Sequence, residues 1–156
     1  MGYRRRAREL AMQALYYMDI GRHVPADALD LFRLSFPCPQ KVQPFFDDLV
    51  HGVMDRRVEL DAIIERFSSN WKVSRMSCVD RNIIRIAVYE ILHCEDIPTK
   101  VSINEAIDVA KKYGTEESGA FINGILDSIR KELGEKRTLG VPENLDPQPS
   151  GEKYDG

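Results

Sequence analysis

The chain has 156 residues, with 22 Lys and Arg against 25 Asp and Glu for a formal charge of −3; 43% of it is hydrophobic and 30% charged. That length supports one domain with a real core, and the composition excludes both a disordered chain and an all-apolar membrane protein. A weakly acidic sum excludes only a protein that is basic all over, because nucleic-acid binding follows local fields.

The opening MGYRRRARELAMQ is basic and lacks the apolar core of a secretory leader. Gly2 is followed by Arg6 where a myristoylation motif wants Ser or Thr. No run of about 18 apolar residues offers a membrane span. Cys38, Cys78 and Cys94 are widely spaced and form no C-x-x-C pair. The expectation is reduced thiols and a cytoplasmic chain.

From Tyr3 to about Ile20, Ala7, Leu10, Ala11, Ala14, Leu15 and Met18 recur at the spacing of one buried helical stripe, and Gly21 is placed to end it. A short second helix opens near Pro25 with Leu29 and Phe32 inward. Pro37-Cys38-Pro39 is a stiff connector. Residues 41–68 carry Phe45, Phe46, Leu49, Val50, Val53, Leu60, Ile63, Ile64 and Phe67 at helical spacing. The polar Asp55-Arg56-Arg57 leaves open whether this stretch is one helix or two. Ser68-Ser69-Asn70 then marks a seam between halves, which Phe67 and Trp71 are expected to seal.

Ser77-Cys78-Val79-Asp80 reads as a helix start. The following Ile83, Ile84, Ile86, Ala87, Val88, Ile91 and Leu92 are apolar on nearly all sides and predict the most buried helix. Its Arg85 and Glu90 need partners from other helices, since buried charges are paired. Ser102-Ile103-Asn104-Glu105 reads as another capping box, with Gly114 as the stop. A last helix after Thr115 buries Ile122, Ile125, Leu126, Ile129 and Leu133 and ends at Gly134, with Asn123-Gly124 expected to allow close helix approach. The reading is all-α: a helical domain over 1–137, then a flexible, acidic, Pro-containing tail over 138–156.

The chemistry points away from catalysis. His23, His51 and His93 are scattered and make no metal-ligand spacing, and no nucleophile elbow, P-loop or dinucleotide fingerprint occurs. No enzyme activity, metal or cofactor is expected. The first 18 residues are different: Arg4, Arg5, Arg6 and Arg8 stand against Glu9 alone, a local +3 that cancels the −3 of residues 132–156. Arginine at a helix N-terminus opposes the macrodipole, so either an anionic group meets it or it is a solvated polar end. The guanidinium's planar fork suits phosphate and stacks on bases.

Four blocks carry a family resemblance: Arg4-Arg5-Arg6-Ala7-Arg8-Glu9 with Ala11-Met12-Gln13-Ala14-Leu15-Tyr16; Ile84 through Ile91; PTKVSINEAIDVAKKYG from Pro98 to Gly114; and Phe121 through Asp127. In this order they resemble the NusB transcription antitermination factors over roughly residues 3–134. The resemblance implies about seven helices in two packed three-helix subdomains. It also implies a non-enzymatic factor that binds single-stranded boxA RNA of ribosomal RNA leaders with NusE, a small-subunit ribosomal protein. Such a factor joins the RNA polymerase antitermination complex and supports ribosomal RNA maturation.

Carried onto this chain, the implied RNA surface is Arg4, Arg5, Arg6, Arg8, Glu117, Phe121 and Asn123, with Phe121 stacking a base. Many relatives have Asp where this chain has Glu117, and some have lysine where it has Ala120. Tyr16 and Asp80 match positions tied to NusE. The resemblance leaves monomer and homodimer both open. Two other readings compete: a protein-interaction scaffold that ignores RNA, and the RNA-docking module of ribosomal RNA methyltransferases. For the latter, the sequence shows no βαβ pattern of a cofactor domain.

Overall fold

A computed structural model describes residues 2–21, 25–69 and 71–134. Seven α-helices follow in chain order: α1 (Tyr3–Gly21), α2 (Pro25–Ser35), α3 (Gln43–Asp55), α4 (Arg57–Phe67), α5 (Cys78–His93), α6 (Thr99–Tyr113) and α7 (Ser118–Ile129). A short 3-10 turn, Val73–Arg75, precedes α5, and α7 runs on as a π-helical turn over Arg130–Gly134. No strand occurs among the described residues. The expected tail, 138–156, lies outside them, as does His23.

The helix on which the rest is assembled is α5. Ser77 caps it, its hydroxyl accepting from the Asp80 N–H at 3.0 Å. Every residue from Asn82 to Ile91 is buried, and α1, α3, α4, α6 and α7 all pack against it. On one side α1, α2 and α3 form a three-helix group; on the other, α6 and α7 complete one with α5. Because α1 and α3 also press on α5, the two groups share a single core centred on Phe46, Leu49, Ile84, Ile91, Ile122 and Leu126. Each such side chain contributes about 1.5–3 kcal/mol by leaving water.

The polar stretch at Asp55-Arg56-Arg57 resolves into a break, with α3 ending at Asp55 and α4 starting at Arg57. Arg56 there has φ −114° and ψ 21°, outside the helical region.

The tertiary fold corrects three expectations. First, α6 starts at Thr99, after the extended Pro98, so Ser102-Glu105 is not its cap. Ser102 is instead buried and donates to Glu90 Oε1 at 2.7 Å, while Glu105 turns to Arg5. Second, Phe67 packs on the core, but Trp71 is 52% exposed and covers the seam only in part. Third, Gly124 is exposed, and a Cβ there would meet no atom within 4 Å, so it permits no close helix approach. The glycine that does so is Gly52, whose Cβ would fall within the Tyr89 ring.

Candidate nucleic-acid interface

The basic end of α1 lies along α6. Arg4 Nη2 donates to Asp96 Oδ2 at 2.8 Å. Arg5 forms a fork on Glu105 at 3.0 and 2.7 Å and reaches Asp108 at 2.7 Å. The hydrogen bond from Arg5 leads the causes that hold the Glu105 carboxyl below its usual range; burial opposes it, and the Arg5 and Arg8 charges reinforce it. Arg6 holds a looser ion pair with Glu9 at 3.6 Å. Glu9 is itself buried and takes Lys112 Nζ at 3.2 Å and the Tyr113 hydroxyl at 3.4 Å.

Part of the anionic counterpart that the arginine cluster demanded is therefore internal. Acids of α1, α5 and α6 and the turn before α6 meet it, offsetting the dipole conflict. The side chains of Arg4, Arg5 and Arg6 nevertheless stay 48%, 41% and 43% exposed. A guanidinium has five N–H donors in a planar fork, so these three keep capacity toward an external phosphate.

Arg8 is a correction. It is 5% exposed and spent on Glu90, to which it donates twice, at 2.8 and 2.9 Å. Glu90 is 1% exposed and also accepts from Ser102. The reason lies in the helical stripe: Arg8 stands three, four and seven residues before the buried Ala11, Met12 and Leu15, so it points inward. That spacing was visible in the sequence, but the uniform run of arginines masked it. Arg8 is thus buried in a structural ion pair, with little of its guanidinium open to an external phosphate. Phe45 underlies this end, with Arg4 and Arg8 5.5 and 5.3 Å above its ring.

Glu117, at the N-cap of α7, and Asn123 within it are exposed, and Phe121 is half-buried. The Phe121 N–H donates to the Glu117 carbonyl at 3.1 Å, so the two share one flank of the helix. At about 100° per residue, Asn123 falls on the opposite flank. That flank also carries Gly119, whose Cβ position faces Ile107 of α6 at 3.9 Å. The structure therefore separates Asn123 from Phe121. Phe121 has instead a neighbour that the sequence reading missed: Trp71 packs edge-on against it, with ring centroids 5.8 Å apart.

Tyr16 lies near the end of α1 and Asp80 in the first turn of α5, two helices that pack together. Tyr16 is 38% exposed near the end of α1, and the Cys78 thiol lies 4.0 Å from its carbonyl, two residues before Asp80. Asp80 Oδ1 is a buried acceptor with no hydrogen-bond partner among the described residues. Beside them Asp19 ties α1 to α5, accepting from Arg81 at 2.9 Å, Asn82 at 3.1 Å and Arg85 at 3.2 Å. Burial opposes the Asp19 charge. The hydrogen bonds from Arg81 and Asn82, with the Arg81 and Arg85 charges, outweigh it and hold the carboxyl well below the usual range. Arg85 also forks onto Asp61 at 2.7 and 3.0 Å, so Arg85 and Glu90 both have the partners they required. No group of three His, Cys, Asp or Glu suited to a metal occurs among the described residues.

The NusB family model matches residues 5–131. The transcription antitermination protein NusB of Desulfatibacillum aliphaticivorans is 57% identical over 136 residues, covering 87% of this chain and 95% of that protein. Its counterpart in Geobacter sulfurreducens is 50% identical over 137 residues, covering 87% and 99%. Among solved structures, T. maritima NusB superposes with a TM-score of 0.78 at 38% identity, covering 87% of this chain and 96% of that one. A chain in the crystal structure of antitermination factors NusB and NusE in complex with dsRNA gives 0.75 at 27% identity, covering 83% and 96%.

Proposed function

The chain belongs to the NusB family, and from that membership we propose that it is a transcription antitermination factor that binds boxA-type single-stranded RNA together with NusE. In this role it supports ribosomal RNA transcription and maturation without catalysing a reaction itself. The observation that carries the RNA reading is the trio Arg4, Arg5 and Arg6, half-exposed at the start of α1, with Arg5 oriented by carboxylates of α6 and Arg4 by Asp96 in the turn before it. Orientation by internal carboxylates lowers the entropy cost of binding a phosphate, while the remaining N–H donors face out. Phe121, with Glu117 on the same flank, supplies a ring for base stacking and a carboxylate that accepts from base amino groups.

NusE docks where the end of α1 carries Tyr16 and the first turn of α5 carries Asp80. The acidic Asp80 suits a basic partner electrostatically, and the 38% exposed Tyr16 offers it aromatic surface to bury. With no helix among the described residues long and apolar enough to cross a membrane, every proposed partner is RNA or protein.

Binding of a boxA-like RNA titrated against salt tests the proposal. Three arginine–phosphate contacts on a single strand give a slope of log K against log salt near about −2.1, or about twenty-fold weaker binding from 50 to 200 mM. An Arg4/Arg5/Arg6 triple alanine variant flattens that slope while keeping the helical circular dichroism spectrum. A wild type that holds NusE yet ignores single-stranded RNA overturns the RNA reading and leaves a protein-interaction scaffold. A preference for duplex over single strand overturns the single-strand part alone.

A further inference from the structure

Residues 66–75, which join α4 to α5, hold Arg66, Lys72 and Arg75, no acid, and the chain's single tryptophan. Trp71 is 52% exposed, although burying an indole is among the larger gains open to a folding chain. Its exposure is not looseness. The Trp71 backbone N–H donates to the Ser68 carbonyl at 3.1 Å, and the Ser68 hydroxyl lies 3.0 Å from the Trp71 carbonyl and 3.3 Å from that of Glu65. Ser69 takes the left-handed φ of 57° that the turn requires. Glu65, the acid nearest this segment, is spent on the Val73 N–H at 2.8 Å and on Lys72 at 4.0 Å. The turn thus fixes an indole against Phe121 and leaves half of it in water, with Lys72 (68% exposed) beside it and an exposed Arg75 four residues on.

We propose that this α4–α5 connector is a second RNA-contact element, in which Trp71 extends the Phe121 stacking surface by one base and Lys72 and Arg75 hold adjoining phosphates. The inference rests on the RNA-binding reading above and adds residues that reading does not use. Three observations favour a nucleic acid as the occupant. The segment is cationic without interspersed acids, it carries an exposed aromatic among its cations, and it is continuous through Phe121 with the α7 flank that includes Glu117. An edge-on aromatic pair presents faces in two directions, which suits successive unstacked bases more than a flat protein surface.

Because Trp71 is the only tryptophan, its emission reports on this site directly. The full chain is titrated with an end-labelled boxA-like single-stranded RNA, following RNA anisotropy and tryptophan emission together. Expected are quenching with the same midpoint as the anisotropy change and shielding of Trp71 from acrylamide. Trp71→Ala is expected to weaken binding about tenfold, and Trp71→Phe much less. A Lys72→Ala/Arg75→Ala double variant, which leaves the turn's hydrogen bonds in place, is expected to reduce the salt slope by about 1.4. Anisotropy that reports binding while emission, acrylamide access and the double variant's slope stay unchanged overturns the connector's role and leaves the arginine site standing. Quenching by NusE but not by RNA overturns it in favour of a protein contact. An absence of any RNA binding by the wild type overturns both readings.

Discussion

Arg8→Ala separates a buried structural arginine from its exposed neighbours. In the folded chain the Arg8 side chain is 6% and the Glu90 side chain 1% exposed, with two hydrogen bonds between them at 2.8 and 2.9 Å. Removing the guanidinium leaves the Glu90 carboxylate in the core with the loss of two charge-assisted donors, a change that typically costs about 3–5 kcal/mol. For a chain of this size that corresponds to a melting temperature lower by roughly 6–20 °C. Arg6→Ala, by contrast, removes a 43% exposed side chain with an ion pair at 3.6 Å and should cost less than about 0.5 kcal/mol.

Urea unfolding at neutral pH measures both variants, with equal m-values confirming comparable transitions. Arg8→Met alone, Glu90→Leu alone and the Arg8→Met/Glu90→Leu pair complete a cycle. The pair should be markedly more stable than the sum of its single losses, because neither charge is left buried alone. Arg8→Lys should recover only part of the loss, since an ammonium cannot reproduce the fork. If Arg8→Ala unfolds within about 1 kcal/mol of wild type while losing RNA affinity, the buried-pair reasoning is refuted and Arg8 returns to the phosphate surface.

Three further substitutions test other parts of the fold. The Asp19 carboxyl is held below its unfolded value, so its stabilisation is complete at neutral pH and is lost as pH falls from about 4 toward the folded pKa. Asp19→Asn should be less stable at pH 7 and show a shallower acid limb in melting temperature against pH; parallel limbs would refute the Asp19 contribution. For the glycines, Gly52→Ala should destabilise by about 1–3 kcal/mol as the new methyl displaces Tyr89 and strains its 2.7 Å bond to Asp48. Gly124→Ala, in an exposed helix with open space around it, should stabilise by about 0.5–1 kcal/mol, as chemical denaturation would show.

The elements themselves were legible from the sequence because each is a local pattern. The apolar run from Ile83 to Leu92 determines the central helix, the Ser77 hydroxyl caps it as Ser-x-x-Asp spacing suggests, and Gly114 ends α6. The need for partners at Arg85 and Glu90 was equally local, since a charge on an apolar helix cannot stay alone. Their identity was not. Glu90 finds Arg8 82 residues away and Arg5 finds Glu105 100 residues away, distances at which local periodicity says nothing. The misread Ser102 cap has the same origin: Ser-x-x-Glu spacing is a local signal, but Glu90 and Arg5 each offered its members a stronger partner.

The charge pattern divides in the same way. Sequence alone determined that the chain's −3 conceals a +3 opening segment and that arginine is the type of cation there. Only the tertiary structure decided which arginines face water. Burial is set by what α5 and α6 bring against α1, so Arg8 is spent inside while Arg4, Arg5 and Arg6 stay half-exposed over their acids. The same dependence hid Trp71. Its composition suggests core, and only the turn at Ser68-Ser69, closing beside α7, holds the ring in water against Phe121. A sequence fixes which side chains are able to bind RNA; packing between distant segments fixes which of them remain available to do so.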